Sequence, residues 1–186
     1  MSAIKKFPST GFPFIVTVWF LVAAPVVTLD AVFVLNRPPS RGLTHPLANI
    51  SLMRLWVAYA EFDHRYAAND DGFVVAQSWL NFAEAALGLV AVILSVGQHV
   101  ETALKLALVT SVMTLSKTVL YLLMDVVEGS RYTRHIGFME KVFVVLLPSS
   151  LWIIFPALVT LECSRRLALA GCRTPNISAS TRQKKV

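Results

Sequence analysis

The sequence predicts an all-α, polytopic membrane protein: a four-transmembrane-helix bundle with a short amphipathic luminal helix. Hydrophobic residues make up 55% of the 186 positions, which is more than soluble domains usually contain. Four apolar stretches each hold at least the roughly 20 residues that cross a hydrocarbon core. They are residues 12–36, 72–97, 102–125 and 139–162. Basic residues collect before the first stretch and after the last one.

The distribution of these charges predicts the topology. Lys5 and Lys6 precede the first helix, and six basic residues follow the fourth: Arg165, Arg166, Arg173, Arg182, Lys184 and Lys185. Four crossings place both termini on one side, and the positive-inside rule predicts that this side is cytosolic. We therefore expect a cytosolic lead (1–11), a membrane domain (12–168) and a disordered basic tail (169–186). The net charge of +6 is interpreted as topogenic, touching membrane lipid and no nucleic acid.

The longest connection, residues 37–71, contains a helical pattern of its own. Apolar residues recur at helical spacing within 50–66: Leu52, Leu55, Trp56 and Tyr59. This spacing predicts an amphipathic helix lying at the membrane interface, with Trp56, Tyr59 and Tyr66 in the aromatic belt. Such a helix would close the luminal side of the bundle.

Two further signals have limited weight. Asn49-Ile50-Ser51 is an N-glycosylation sequon in the long loop, although such triplets are common by chance. Cys163 and Cys172 supply too few ligands for a metal site, so no metal is predicted.

Eight residues within the apolar stretches are unexpected in hydrocarbon. They are Asp30, Gln77, Asn81, Glu84, Lys117, Tyr121, Ser149 and Trp152. An ionisable side chain at membrane depth costs several kcal/mol and is therefore usually turned inward and functional. Gln77, Asn81 and Glu84 share one helix face, and the four helices bring all eight residues to one layer between the luminal surface and the midplane. We therefore expect a polar pocket inside the membrane.

Structural explanations remain open for the same residues. Asn, Gln, Ser and Thr often hold membrane helices together, each contributing about 0.6–2 kcal/mol. Lys117 and Glu84 would satisfy each other as a purely structural ion pair. Asp30 lies near enough to the luminal edge to snorkel, Trp152 can be packing, and Tyr121 can be an interface anchor.

Three short motifs resemble those of the EXPERA superfamily, which includes emopamil-binding protein, the sterol Δ8–Δ7 isomerase, and the sigma-2 receptor. The motifs are Leu55-Trp56-x-x-Tyr59-Ala60-x-x-Asp63-x-Arg65-Tyr66, Val119-Leu120-Tyr121-Leu122-Leu123 and Ser149-x-Leu151-Trp152-Ile153-Ile154-Phe155-Pro156. The resemblance covers about residues 16–168 and implies the four-helix EXPERA unit, resident in the endoplasmic reticulum.

The resemblance also implies roles for individual residues. In the sterol isomerase, acidic residues and a histidine move a proton to and from an alkene, and a tryptophan faces the cationic intermediate. Trp152 falls on that tryptophan, and Asp30 falls on or beside a family glutamate. Gln77 or Ser78 falls on the second glutamate, so Glu84, further along the same face, is expected to replace it.

Other positions depart from the family pattern. Ser149 stands for a family asparagine, Lys117 replaces a small residue, and the family histidine has no counterpart among residues 26–28. The resemblance therefore implies an inherited pocket whose acid–base groups have changed, and a lipophilic substrate other than the usual sterol.

The leading hypothesis is a membrane-embedded acid–base enzyme that isomerises an alkene, or opens or cyclises an epoxide, through a cationic transition state. The substrate would be terpenoid, sterol-like or polyketide, as in secondary metabolite biosynthesis, and no cofactor is predicted. Asp30, Glu84 and Lys117 are the predicted catalytic residues, with one carboxyl as acid and the other as base. The predicted substrate-binding residues are Gln77, Asn81, Tyr121, Ser149 and Trp152.

Two other hypotheses use the same pocket. The first is a non-catalytic sterol- or lipid-binding protein like the sigma-2 receptor. The second is a channel or transporter, which ranks last because the sequence shows no inverted repeat. A homodimer through the helix faces is compatible with the pattern, but no residue specifically predicts it.

Overall fold

A computed structural model describes residues 11–172 and contains four helices long and apolar enough to span a bilayer. They are α1 (Phe14–Leu35), α3 (Gly72–Val96), α4 (Val100–Val127) and the continuous helix Phe138–Ala170. A shorter helix, α2 (Arg54–Phe62), lies in the long loop between α1 and α3. No strand occurs within residues 11–172. The prediction of an all-α, polytopic membrane fold is confirmed.

The last spanning helix is irregular in its first third. It begins with one turn, α5 (Phe138–Glu140), continues through a π-helical segment (Lys141–Leu146), and becomes the regular helix α6 (Leu147–Cys172). The predicted span ended at Glu162, yet α6 continues for ten more residues. Salt bridges from Arg165 and Arg166 to Glu162, of 2.9 and 2.7 Å, stabilise this extension at helical spacing.

The extension of α6 also changes the predicted domain boundary. Residues 169–172 are helical, so the tail predicted from 169 begins later than expected. The rest of that tail and the lead 1–10 lie outside the described residues.

The helices form an antiparallel bundle with two distinct ends. α1 packs against α3, α3 against α4, and α4 against α6. We call the end that contains the α3–α4 turn the terminal end, because Arg166 of α6 there donates to the Gly11 carbonyl at 3.2 Å. The opposite end, which contains α2, is the loop end.

All four spanning helices meet in an apolar core near the terminal end. Val16 and Phe20 of α1 belong there to one cluster of buried side chains with residues of α3, α4 and α6, among them Leu104 and Val159. Gly88 of α3 lies so close to Phe20 that an added Cβ would be 2.7 Å from the ring. Glycine at this position therefore allows α1 and α3 to approach, as small residues do in membrane bundles.

The loop that leaves α1 folds back onto that helix through His45. Its ring stacks on Phe33 with centroids 3.9 Å apart, and its Nε2 lies 2.9 Å from the Phe33 carbonyl oxygen. Its Nδ1 accepts a hydrogen bond of 3.1 Å from the Leu47 backbone N–H, so the neutral tautomer carries its proton on Nε2. Burial lowers the pKa of His45 below its ordinary value.

The amphipathic helix predicted within 50–66 is shorter than expected. A 3₁₀ turn (Ser51–Met53) leads into α2, which ends at Phe62 because Asp63 adopts an extended backbone conformation. The Asp63 side chain then accepts from the Arg65 backbone N–H at 3.0 Å and turns the chain. The predicted orientation of the aromatic residues is wrong: Trp56, Tyr59 and Tyr66 line the interior of the bundle.

Candidate functional site

A cavity of about 400 Å³, here called the main cavity, lies in the loop-end half of the bundle. Side chains from α1, α2, α3, α4 and α6 line it, and most of the lining is apolar. Its volume is within the range of about 300–1,000 Å³ typical of small-molecule sites. Seven of the eight predicted site residues line it: Asp30, Gln77, Asn81, Lys117, Tyr121, Ser149 and Trp152.

Asp30 places a carboxyl group on the cavity wall and is held there from two sides. Its Oδ1 accepts from the Trp56 indole N–H at 3.0 Å, and its Oδ2 accepts from Asn81 Nδ2 at 2.9 Å. The donors belong to α2 and α3, so three elements fix the position of the carboxyl. Sequence reasoning assigned Trp56 to the aromatic belt and missed this contact.

Asn81 links Asp30 to a buried cation. Its Oδ1 accepts from Lys117 Nζ, and the same Nζ lies 3.0 Å from Glu84 Oε2. Asp30, Asn81, Lys117 and Glu84 thus form a continuous row of polar side chains across three helices, which we call the polar chain. Gln77 supports this row by donating to the Lys117 backbone carbonyl at 3.1 Å.

Glu84 differs from the other predicted residues because it does not line the main cavity. Its side chain is only 4% exposed and lies behind Lys117, where Thr114 Oγ1 is 2.9 Å from Glu84 Oε2. Glu84 contributes instead to a much smaller space of about 20 Å³. The expectation that two carboxyls share one pocket is therefore corrected: Asp30 is on the wall, and Glu84 is the counter-ion of Lys117.

Aromatic rings form another part of the cavity wall. Trp152 lines the cavity from α6, and its indole makes an edge contact with Trp19 at 5.7 Å. Trp19 in turn stacks on Phe155 at 5.0 Å, which holds the indole of Trp152 in place. The face of an indole attracts positive charge, so this wall suits a cationic ligand or intermediate.

Two tyrosines near Asp30 keep their protons. Burial raises the pKa of Tyr66 well above its ordinary value, and the charge of Asp30 raises it further. Burial likewise raises the pKa of Tyr59, with Asp63 as the next cause. Both phenols line the cavity as neutral groups, and the Tyr59 hydroxyl donates to Asp63 Oδ2 at 3.5 Å.

Tyr121 is tied to a buried loop residue that the sequence pattern did not mark as functional. Its hydroxyl donates to Asp63 Oδ2, and the Tyr59 hydroxyl lies 3.5 Å from the same oxygen. Asp63 is 2% exposed. Burial raises the pKa of Asp63, whereas the hydrogen bonds from Tyr121 and the Arg65 backbone oppose that rise.

Arg65 anchors this loop to the bundle. Its guanidinium forms salt bridges of 2.9 Å to Asp71 and 2.5 Å to Glu128, although Arg65 itself is only 2% exposed. It also lies 4.5 Å from the centroid of the Tyr132 ring. We call Asp63, Arg65, Asp71 and Glu128 the loop cluster. With Asp63 and Arg65 each only 2% exposed, this cluster holds α2 and Tyr66 over the loop end of the main cavity.

Ser149 is satisfied by its own helix, since its hydroxyl donates to the Val145 carbonyl at 2.7 Å. That carbonyl belongs to the π-helical segment, where Lys141 also reaches back to Asp125 at 2.5 Å. π-Helical turns are frequent at functional sites. Here the segment precedes Pro148 and Ser149, both of which line the main cavity.

Neither metal ligation nor a known relative assigns a chemistry to this site. Within residues 11–172, no three His, Cys, Asp or Glu side chains are grouped so that they could hold a metal ion. No family model and no curated protein matches the chain. Fold and site together define an integral membrane protein with an apolar cavity and one carboxyl on its wall.

Proposed function

We propose that the protein is a membrane-embedded acid–base enzyme that acts on a lipophilic terpenoid, sterol-like or polyketide substrate held in the main cavity. The observation that carries this proposal is the position of Asp30. A carboxyl group fixed by Trp56 and Asn81 faces an otherwise largely apolar space of about 400 Å³. A positioned carboxyl in an apolar cavity is the usual arrangement for general acid–base catalysis on an apolar substrate.

One carboxyl is sufficient for an isomerisation. Protonated Asp30 transfers its proton to one carbon of the alkene, which leaves a carboxylate on the enzyme and a carbocation on the substrate. The carboxylate then removes a proton from a neighbouring carbon, and the double bond forms one position away. Asp30 is acid and then base, and each turnover restores its proton.

The same groups serve an epoxide. Protonation of the epoxide oxygen by Asp30 breaks a C–O bond, the cation is captured by an internal double bond, and loss of a proton to the carboxylate completes a cyclisation. Lys117 supports this variant because it lines the cavity and its ammonium group has three N–H donors. Asn81 and Glu84 take two of them, which leaves one for a substrate oxygen.

The electrostatics of the polar chain favour a cationic intermediate. Two carboxylates, Asp30 and Glu84, and one ammonium, Lys117, carry one net negative charge when Asp30 is ionised. Trp152 adds the attraction of its ring face, about 0.5–2 kcal/mol. The EXPERA resemblance supports the same reaction class and an endoplasmic reticulum location, and it remains a resemblance.

A second candidate function is a binding protein for lipophilic amines or lipids, like the sigma-2 receptor. It is favoured by the two hydrogen bonds that Asp30 already accepts, since hydrogen bonds to a carboxyl group stabilise its ionised form. An ionised Asp30 would pair with an ammonium ligand and could not donate a proton.

The two functions are separated by mass spectrometry of membranes that contain wild type, Asp30→Asn or Glu84→Gln and are given sterol, polyene and epoxide substrates. The enzyme proposal expects a product with wild type and none with Asp30→Asn. It expects residual turnover with Glu84→Gln, because Glu84 does not line the cavity. An unchanged co-purifying lipid in all three samples would establish the binding protein.

Deuterated buffer tests the single-carboxyl route. If Asp30 both gives and takes the proton, it passes the proton removed from one substrate molecule to the next, so part of the product formed in D2O carries protium at the new C–H bond. Complete incorporation of solvent deuterium would instead show that the proton donor exchanges with water in every turnover, and it would contradict the direct passage of the proton.

A further inference from the structure

A second, smaller space lies next to the main cavity, toward the terminal end. This small chamber has a volume of about 20 Å³ and is lined by residues of α1, α3, α4 and α6, among them Glu84, Thr110 and Thr114. Val27 and Trp152 line both spaces and form the wall between them. The chamber therefore lies on the side of Glu84 that faces away from the main cavity.

Two polar atoms that border the chamber have no partner among the described residues. They are Glu84 Oε1 and Thr110 Oγ1, and their residues are 4% and 2% exposed. Leaving a buried polar atom unsatisfied costs about 1–3 kcal/mol, and more for a charged group. Native proteins rarely keep such atoms unsatisfied, and buried water is the usual partner.

We propose that the small chamber is a binding site for a single water molecule, which donates to Glu84 Oε1 and hydrogen-bonds Thr110 Oγ1. A cavity needs about 10–15 Å³ to hold one water molecule, so about 20 Å³ is enough to admit one. Thr114, which also lines the chamber, supplies a third polar side chain, whose hydroxyl donates to neighbouring oxygens and can accept from the water. Two to four polar partners are what a buried water requires.

The chamber is unsuited to a metal cation such as sodium. Lys117 Nζ already lies 3.0 Å from Glu84 Oε2, so a second positive charge beside the same carboxylate would be repelled. Hard cations also take about six or more oxygen ligands, and the side chains here offer far fewer.

The water gives Glu84 a positioning role that does not depend on the proposed reaction. One oxygen of Glu84 contacts Lys117, and the water satisfies the other oxygen. Both carboxylate oxygens then have partners, and Glu84 is held in position as the counter-ion of Lys117. In this arrangement Val27 and Trp152 lie between the water and the main cavity.

The direct test is solution NMR of the wild-type protein in lipid nanodiscs with labelled threonine methyl groups. A water molecule held in the chamber gives cross-relaxation between a long-lived water and the methyl groups of Thr110 and Thr114. Absence of these signals, with the methyl resonances themselves visible, would overturn the proposal. This measurement requires no variant and therefore does not depend on a mutant folding.

A matched pair of variants tests the same proposal through stability. Thr110→Val removes the hydroxyl without changing the shape. If the chamber holds water, this variant removes one hydrogen-bond partner of the water, and the Tm falls by about 2–4 °C. If it is dry, removing an unsatisfied hydroxyl leaves the Tm unchanged or raises it. The control is Ser111→Ala, because Ser111 Oγ is also buried and unpartnered but does not border the chamber; its Tm should not fall.

Salt substitution distinguishes water from a bound cation. With water in the chamber, the Tm is the same in sodium chloride and in choline chloride at equal ionic strength. A rise in Tm specific to sodium, lost in Thr110→Val, would show a cation site and overturn the proposal.

Discussion

The buried pair of Lys117 and Glu84 provides the sharpest quantitative prediction. Their charged atoms lie 3.0 Å apart, and the side chains are 12% and 4% exposed. Coulomb's law at this distance, with an effective dielectric constant of about 20, gives an attraction of roughly 5–6 kcal/mol. Desolvation of the two ions costs several kcal/mol each, so the pair as a whole contributes little net stability.

Breaking the pair should nevertheless be costly. Lys117→Met leaves the Glu84 carboxylate buried without its cation and is expected to destabilise the protein by about 3–5 kcal/mol. Glu84→Gln leaves the ammonium unpaired, with a comparable loss. The double variant removes both charges, so it should be more stable than the sum of the two single losses predicts.

The assay is reversible unfolding in mixed micelles for wild type, both single variants and the double variant. The expected coupling energy is at least about 2 kcal/mol, because the two charges interact directly. The control cycle uses Lys105 and Glu101, an exposed pair 2.7 Å apart at helical spacing, for which about 0.3–0.5 kcal/mol is expected. Additive losses at Lys117 and Glu84, equal to the control within error, would refute the assignment of Glu84 as the buried counter-ion.

Three further predictions concern the site and the loop. Asp30→Asn should abolish turnover while the protein still folds, whereas Trp56→Phe, which removes one hydrogen bond of about 1.5–3 kcal/mol to the carboxylate, should lower kcat about 10- to 150-fold. Trp152→Leu should lower kcat about 2- to 30-fold through loss of cation stabilisation, with KM little changed; an unaltered kcat would remove Trp152 from the mechanism. The pKa of His45 is below its unfolded value of about 6.5, so the unfolded chain binds more protons as the pH falls. The contribution of His45 to the free energy of unfolding is therefore fully present above about pH 6.5 and is lost as the pH falls. When the pH is lowered from 7.5 to 5.5, the Tm of the His45→Asn variant should fall less than the Tm of wild type. Because burial also lowers the pKa of His64, the difference between the two proteins is the quantity to compare.

The spanning helices were predictable because a membrane helix needs only local information. About 20 apolar residues are visible in the sequence whatever their neighbours are. The same holds for the shared face of Gln77 and Asn81, which follows from helical periodicity alone. Both side chains lie where that periodicity directs them, toward the main cavity.

The role of Glu84 could not be predicted in the same way. Periodicity gives the direction of a side chain but not the depth at which a cavity ends. Glu84 is three residues, or about 4.5 Å, further along α3 than Asn81. Over that distance Val27 and Trp152 close the main cavity, and both residues come from other helices.

The loop cluster was missed because its partners are distant in the sequence. Tyr121 meets Asp63 across 58 positions, and Arg65 meets Glu128 across 63. Neither contact produces a periodic pattern. The resemblance to the EXPERA motifs did mark Asp63 and Arg65 as a signature, but it assigned them no contact.

The arrangement of charges explains why the cavity is suited to one proton-carrying group. Lys117 on the cavity wall is neutralised by Glu84 behind it, and Arg65 of the loop cluster is compensated by Asp71 and Glu128. Asp30 accepts from two neutral donors and has no salt bridge among the described residues. Its charge is therefore left to be balanced by a proton or by a cationic ligand. A reaction that moves one proton on and off a bound hydrocarbon requires a carboxyl group that has no fixed counter-ion. A lipophilic amine would bind beside the same carboxyl group and act as an inhibitor.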